Sequence, residues 1–215
     1  IKNKFLERFI KYDLFKENEE FAFMPIQVQP ESSIDVQSIN FSNQIETARK
    51  IAMHLPGDMK LYVKDHPFMY GLRNYSYLKK LQNTPNVKLI NFRIDSKKII
   101  NKSSLIICAT GTTIFQAALI KKPCIMLGKT GTLKRLPNVF ALNSFLDLTK
   151  KIIELKNEKF ESMNYTSKLY NYIEASFQTG FDSDYIKIWE KNLTSDLDII
   201  CNKIIHEIKR NLEKK

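Results

Sequence analysis

Two short stretches carry the residues best suited to chemistry. The first is KLYVKDHPFMY, Lys60 to Tyr70, where an apolar run stops at Asp65-His66-Pro67. Proline has no N–H to donate and pushes the preceding residue into extended geometry. His66 is therefore expected on a stiff backbone just past a buried strand, where its imidazole can donate a hydrogen bond to a phosphate oxygen. The second stretch is LIICATGTT, Leu105 to Thr113, a strand running into a small, hydroxyl-rich turn that opens a helix. The first amides of a helix lack acceptors within it and lie at the positive end of its dipole. Gly111 allows close backbone approach to a ligand, and Thr110, Thr112 and Thr113 add hydroxyls. Ligands of open α/β sheets bind at the carboxyl ends of strands. The expectation is one pocket, faced by both strand ends, that holds a phosphate.

Each of these residues also has a plainer role, His66 as a capping or core histidine and the threonines as ordinary N-caps. Neither stretch is a standard phosphate loop, since the Gly-Lys-Ser/Thr ending and GxGxxG are both absent. Two further loops are candidates. Gln29, Glu31 and Ser32 lie in the polar segment QPESS after the first expected strand, and Gly128 to Thr132 reads GKTGT. His54 and His206 read as structural or solvated. Cys108 lies inside a strand, which does not suit a nucleophile. No HxH or HExxH spacing occurs, so no metal site is expected.

The elements that must position these residues alternate strand and helix from residue 21 to about 155. Strands are expected near 21–28, 60–65, 87–90, 104–109, 123–127 and 139–140. Helices are expected over 41–55 (with Ser42 as cap), 72–81, 95–101, 112–120 and 143–155. The 104–109 run is apolar throughout, as befits a parallel strand buried on both faces. Pro25 points to an edge strand or an irregularity. The pattern predicts an α/β fold, a Rossmann-like doubly wound parallel sheet. Residues 1–20 read as a lead-in helix whose Phe5, Phe9 and Phe15 dock on the body. Residues 21–155 are the Rossmann-like domain, and 156–215 a helical, lysine-rich tail.

The chain has 215 residues, 43% of them hydrophobic, enough for a sizeable core. Lys and Arg number 34 against 23 Asp and Glu, a net charge of +11. Such a surface suits nucleic acid, an anionic membrane face, or anionic sugars and nucleotides. The lysines are scattered, without an arginine-rich stripe interleaved with aromatics, so nucleic acid is not an expected partner. Three cysteines, an odd count, fit no disulfide or zinc spacing. Cys108 and Cys124 lie in apolar runs and are expected buried and reduced, which favours the cytosol. No run approaches the ~20 apolar residues of a membrane span. The opening residue, Ile1, suggests a piece of a longer protein.

Taken in order, QPESS, NQIETARKIAMHLP, LYVKDHP, PNVKLI and DSKKIINKSSLIICATGTTIFQAALIKKPCIMLG resemble the C-terminal half of bacterial and archaeal capsular polysaccharide biosynthesis proteins. That family is similar to the Kdo transferases of capsule assembly and, more distantly, to polysialyltransferases and glycerophosphotransferases. The resemblance covers roughly residues 21–145 and rests on KxHP and on the xTGTxxxxA segment. It implies a GT-B glycosyltransferase of which this chain is the C-terminal, donor-binding lobe, with the acceptor lobe outside it. It further implies that His66, in the His66-Pro67 pair, is the catalytic contact to the phosphate of a CMP-sugar. Thr110, Gly111, Thr112 and Thr113 would make a second phosphate or ribose contact. Asp65 stands where the family usually has Glu. Gln116 stands where Glu is often found, and its amide keeps hydrogen bonding to a ribose hydroxyl without the charge. No cofactor is implied, the nucleotide-sugar being the substrate. The implied partners are that donor, a polysaccharide or glycolipid acceptor and an anionic membrane surface. The implied location is the cytoplasm, peripheral at the inner face of the cell membrane. The alternative is a non-catalytic scaffold or docking module of a polysaccharide assembly complex, and a third reading is a sugar-phosphate epimerase-like protein.

Overall fold

A computed structural model describes residues 2–128, 131–142, 144–157, 164–180 and 194–213. The chain divides into two compact units, Ile1–Leu169 and Tyr170–Lys215. The first holds a six-stranded sheet: β1 (Phe21–Pro25), β2 (Lys60–Lys64), β3 (Val87–Ile90), β4 (Leu105–Cys108), β5 (Cys124–Met126) and β6 (Val139–Ala141). The spatial order is β3-β2-β1-β4-β5-β6, and every neighbouring pair is parallel. This is the doubly wound parallel sheet expected from the alternation of elements. After β3 the chain crosses back over β1 to start β4, so the strand order reverses between β1 and β4. A crevice forms outside the carboxyl ends of the strands at such a reversal.

The apolar runs explain the strands. Leu61, Tyr62 and Val63 of β2 are fully buried, as are Ile106 and Ile107 of β4. Pro25 is neither on an edge strand nor an irregularity: β1 lies inside the sheet and Pro25 is its last residue. Ile26 N–H donates to Lys64 O on the β2 side at 2.9 Å, so the missing donor of Pro25 faces β4. The β1–β4 ladder has already ended there, at Phe23 and Ile106.

The helices of this unit are α1 (Lys2–Leu6), α2 (Ser32–Asp35), α3 (Gln44–His54), α4 (Tyr75–Gln82), α5 (Ser96–Lys102), α6 (Thr113–Leu119) and α7 (Leu148–Asn157). Asn43, not Ser42, caps α3, its side chain accepting from Glu46 N–H at 3.2 Å. Ala48, Ile51 and Ala52 on its inner face join the core with Leu61, Val63 and Ile107. Asp95 caps α5 by accepting from Lys97 N–H at 3.0 Å.

The lead-in differs from the expected helix. It is helical only to Leu6, with one tight turn over Glu7–Phe9. Phe15 does dock, edge-on to Phe21 and Tyr62 at 5.8 and 5.9 Å. Phe5 and Phe9 do not; they are 56% and 59% exposed and meet each other at 5.6 Å. Ile10 is buried in the core with Tyr12 packed against it, and polar contacts add to this hold. The buried Glu7 carboxylate accepts from Gly71 N–H at 2.7 Å and from Tyr12 Oη at 3.0 Å. Asn3 Nδ2 donates to Leu72 O at 3.4 Å. Gly71 has φ +76, and Lys4 Cβ lies 2.9 Å from where a β-carbon of residue 71 would stand.

A further helix, α8 (Tyr165–Thr179), starts in the first unit, where Tyr165 Oη donates to Ala118 O at 2.7 Å. The second unit contains α9 (Thr194–Leu212), on which Ile204, Ile208 and Leu212 are exposed. Among the described residues no helix is long and apolar enough to cross a membrane.

Candidate functional site

A cleft of about 810 Å³ opens at the strand-order reversal, walled by the segments that follow β1, β2 and β4. Its lining includes Gln27, Glu31 and Ser33 from the first segment, and Lys64, Asp65, His66 and Pro67 from the second. Thr110, Gly111, Thr112, Thr113, Phe115 and Gln116 come from the third. The two stretches picked out for chemistry thus share one cavity.

His66 is exposed, and its backbone is extended at φ −70, ψ 133 ahead of Pro67, as the His-Pro dipeptide requires. Its Nδ1 accepts a hydrogen bond from Phe68 N–H at 3.2 Å. An amide can only donate, so in the neutral ring the proton sits on Nε2. The imidazole therefore presents an N–H on its far side. Below it, Asp65 is buried. One carboxylate oxygen accepts from His66 N–H at 2.8 Å, and both accept from Arg73 Nε, at 2.9 and 2.7 Å. Burial raises the Asp65 carboxyl above its ordinary value, with Arg73 and the His66 amide pulling the other way.

Gly111 has φ +119, a conformation open to glycine and strained for other residues. The Gln27 amide lies 3.0 Å from where a β-carbon at 111 would stand. Gln27 Nε2 also donates to Thr110 O at 3.1 Å, tying the end of β1 to the turn after β4. Thr112 and Thr113 open α6, and Ile114 N–H in its first turn donates to Gly111 O at 3.2 Å.

Lys64 sits at the cleft floor. Its Nζ donates to Ile94 O at 2.8 Å and Phe92 O at 3.3 Å. Burial lowers its ammonium below the ordinary lysine value, and Asp95 opposes this. Beyond Lys64 and Pro67 is a second cavity of about 400 Å³, lined by Phe92, Arg93, Asp95 and Ser96.

Of the residues singled out from sequence, His66, Pro67, Glu31, Thr110, Gly111, Thr112, Thr113 and Gln116 face the cleft together. Gln29 and Ser32 do not line it. The Gln29 side chain serves its own loop, donating to Asp35 Oδ1 at 2.7 Å and Ser42 O at 2.9 Å and accepting from Gln44 Nε2 at 2.8 Å. Ser32 starts the short α2, and Ser33 takes the place in the wall, its Oγ donating to Glu31 at 2.7 Å. In the Gly128–Thr132 loop, Lys129 and Thr130 lie outside the described residues. Leu133, just past it, lines the cleft. His54 Nδ1 donates to Lys50 O at 2.8 Å, a structural use. Cys108, Cys124 and Cys201 are free thiols, the first two buried. Among the described residues no cluster of His, Cys, Asp or Glu could hold a metal ion. Sequence reasoning missed Gln27, Ser33, Lys64 and Arg73 as parts of the site.

A family model described as capsule polysaccharide biosynthesis protein matches residues 4–131. No curated protein matches the sequence. Among solved structures, UDP-GlcNAc 2-epimerase from Methanocaldococcus jannaschii superposes with a TM-score of 0.51 at 16% identity, over 82% of this chain and 50% of that one. KpsC, a β-Kdo 2,7 transferase from Thermosulfurimonas dismutans, gives 0.47 at 15% identity, over 81% and 60%. The spinosyn rhamnosyltransferase SpnG gives 0.47 at 14%, over 74% and 42%. At these identities the likeness is one of fold, carried by the first of the three. The chain spans about half the length of the first structures it matches, 50% and 49% of them.

Proposed function

This chain belongs to the capsule polysaccharide biosynthesis protein family, and from that premise we propose that it is the donor-binding half of a glycosyltransferase that builds a surface polysaccharide. The donor in this reading is a nucleotide-sugar, with CMP-sugar as the first choice. The observation that carries it is the convergence of His66 and the Thr110–Thr113 turn on one cleft at the strand-order reversal.

The chemistry follows from the geometry. When a sugar leaves its nucleotide, negative charge builds on the departing phosphate. Fixed donors aimed at that charge lower the barrier because they need no reorganisation. His66 Nε2–H is one such donor, pinned by the Phe68 amide behind it. Thr112 and Thr113 in the opposite wall supply the second contact in this reading, and Gly111 between the strand and α6 leaves room for the ligand to come close. Gln116, one turn further into the same wall, reaches a ribose hydroxyl in this reading. Neither a metal ion nor a cofactor is required by it. The acceptor, a polysaccharide or glycolipid, and the base that activates it belong to the part of the active site outside this chain. The net charge of +11 suits an anionic glycan and an anionic membrane face.

Calorimetry with CMP, UDP and nucleotides of other bases tests the proposal. The expected result is weak binding, strongest for CMP, with His66→Ala weakening it by about 1–3 kcal/mol, the range for a lost hydrogen bond to a charged group. Equal affinity in wild type and variant overturns the assignment of His66. Binding of no nucleotide favours the scaffold reading, which the uncharged Gln116 in the cleft wall also supports.

A further inference from the structure

The strongest feature left unused by that reading is the buried Arg73. It does not line the cleft, yet each of its hydrogen bonds runs to a residue that does. Its Nε holds both oxygens of Asp65, at 2.9 and 2.7 Å, and Asp65 in turn accepts from the His66 amide. Its Nη2 donates to Gln27 O. The Gln27 side chain holds Thr110 O at 3.1 Å and packs against Gly111. One line of bonds thus joins the imidazole's backbone to the turn across the cleft, through a single guanidinium. The plane of that guanidinium rests on the Tyr77 ring, 4.7 Å from its centre. The Tyr77 hydroxyl is buried and, among the described residues, has no hydrogen-bond partner. The ring acts through its apolar body, packed on the core and set behind Arg73.

We propose that Arg73 is a positioning residue of the donor cleft, setting the spacing between the His66 loop and the Thr110–Gly111 turn so that one phosphate meets both. The inference rests on the donor-binding reading above. A buried ion pair is by itself weak evidence of a role, because its replacement by apolar groups is often neutral for stability. The geometry here says more. The two arms of the fork lie on segments that follow different strands, and a lysine, with one compact charge, cannot span both.

The test is a double-mutant cycle on the full chain, with CMP and UDP as probes and binding read by calorimetry. Arg73→Lys is expected to weaken binding about tenfold though it touches no ligand, and His66→Ala in that background to cost well under its wild-type factor. Coupling of about tenfold between residues that do not touch is within the range for groups sharing one network. A merely structural Arg73 would leave the factor for His66→Ala the same in both backgrounds, and that result overturns the proposal. Tyr77→Phe is expected to bind as wild type does, since only the ring is used; a loss there also counts against it. If Arg73→Lys does not fold, the paired Asp65→Asn/Arg73→Met removes both charges together and carries the same cycle. Wild-type binding with no loss in the Arg73 variants overturns this proposal alone, whereas no binding by wild type overturns the donor reading and this proposal with it.

Discussion

At the scale of single residues, Gly111 is a position with little freedom. Its φ of +119 strains any residue with a β-carbon, and the Gln27 side-chain amide, 3.0 Å from where that carbon would stand, would have to shift to admit it. Gly111→Ala is expected to cost about 1–3 kcal/mol of stability, the usual size of backbone strain of this kind, read as a lower urea midpoint at an unchanged slope. An unchanged midpoint would show that the turn relaxes freely. His66 and Gly111 were legible in the sequence because each departs from what its neighbours do: a histidine locked before proline, a glycine between threonines at a strand's end. Gln27 and Arg73 were not. Their partners are far along the chain, Thr110 for one and Gln27 itself for the other, and no local pattern encodes such a pairing. Gln29 and Ser32 misled for the opposite reason. Polar residues in a tight loop often satisfy that loop's own backbone, as Gln29 does with Ser42 O.

At the scale of elements, strands were read closely and helix starts less so. β3 falls on the expected residues 87–90, and β4 one residue inside each expected end. Continuous apolar runs bounded by turns leave little choice. The α3 start slipped because Ser42 and Asn43 are both good caps, and only the folded chain shows which accepts the bond. The lead-in was misread because its apolar and charged residues recur at helical spacing, while the chain runs extended where it joins the sheet. Asp13 bridges Ile90 beside β3, and Glu19 receives Lys88 Nζ at 2.6 Å and the Tyr62 hydroxyl. Burial works against the Glu19 carboxylate, but those two donors outweigh it and hold the group below the ordinary glutamate value. A carboxyl depressed in the folded state adds stability above its unfolded value, and that stability is lost as pH falls through the folded one. Wild type is therefore expected to resist urea better than Glu19→Gln near neutrality, with the gap closing in acid below about pH 4.3. A gap that stays constant to the acid limit would remove Glu19 from the account.

At the scale of the whole molecule, charge and connectivity matter most. A net charge of +11 should draw the chain to vesicles containing phosphatidylglycerol at low salt. At 1 M salt, where the screening length falls to about 3 Å, it should be released. Sedimentation with neutral and anionic vesicles checks this, and equal retention on both would rule out an electrostatic attraction. Connectivity has a subtler effect. The first residues of the lead-in grip the His66 loop, through Asn3, Lys4 and Glu7 on Gly71 and Leu72, before the later ones reach the sheet. A tether fastened to the chain's first turn would therefore tug on the imidazole's own loop before it strained a single strand. Anything that reorients that first turn has a mechanical handle on the cleft.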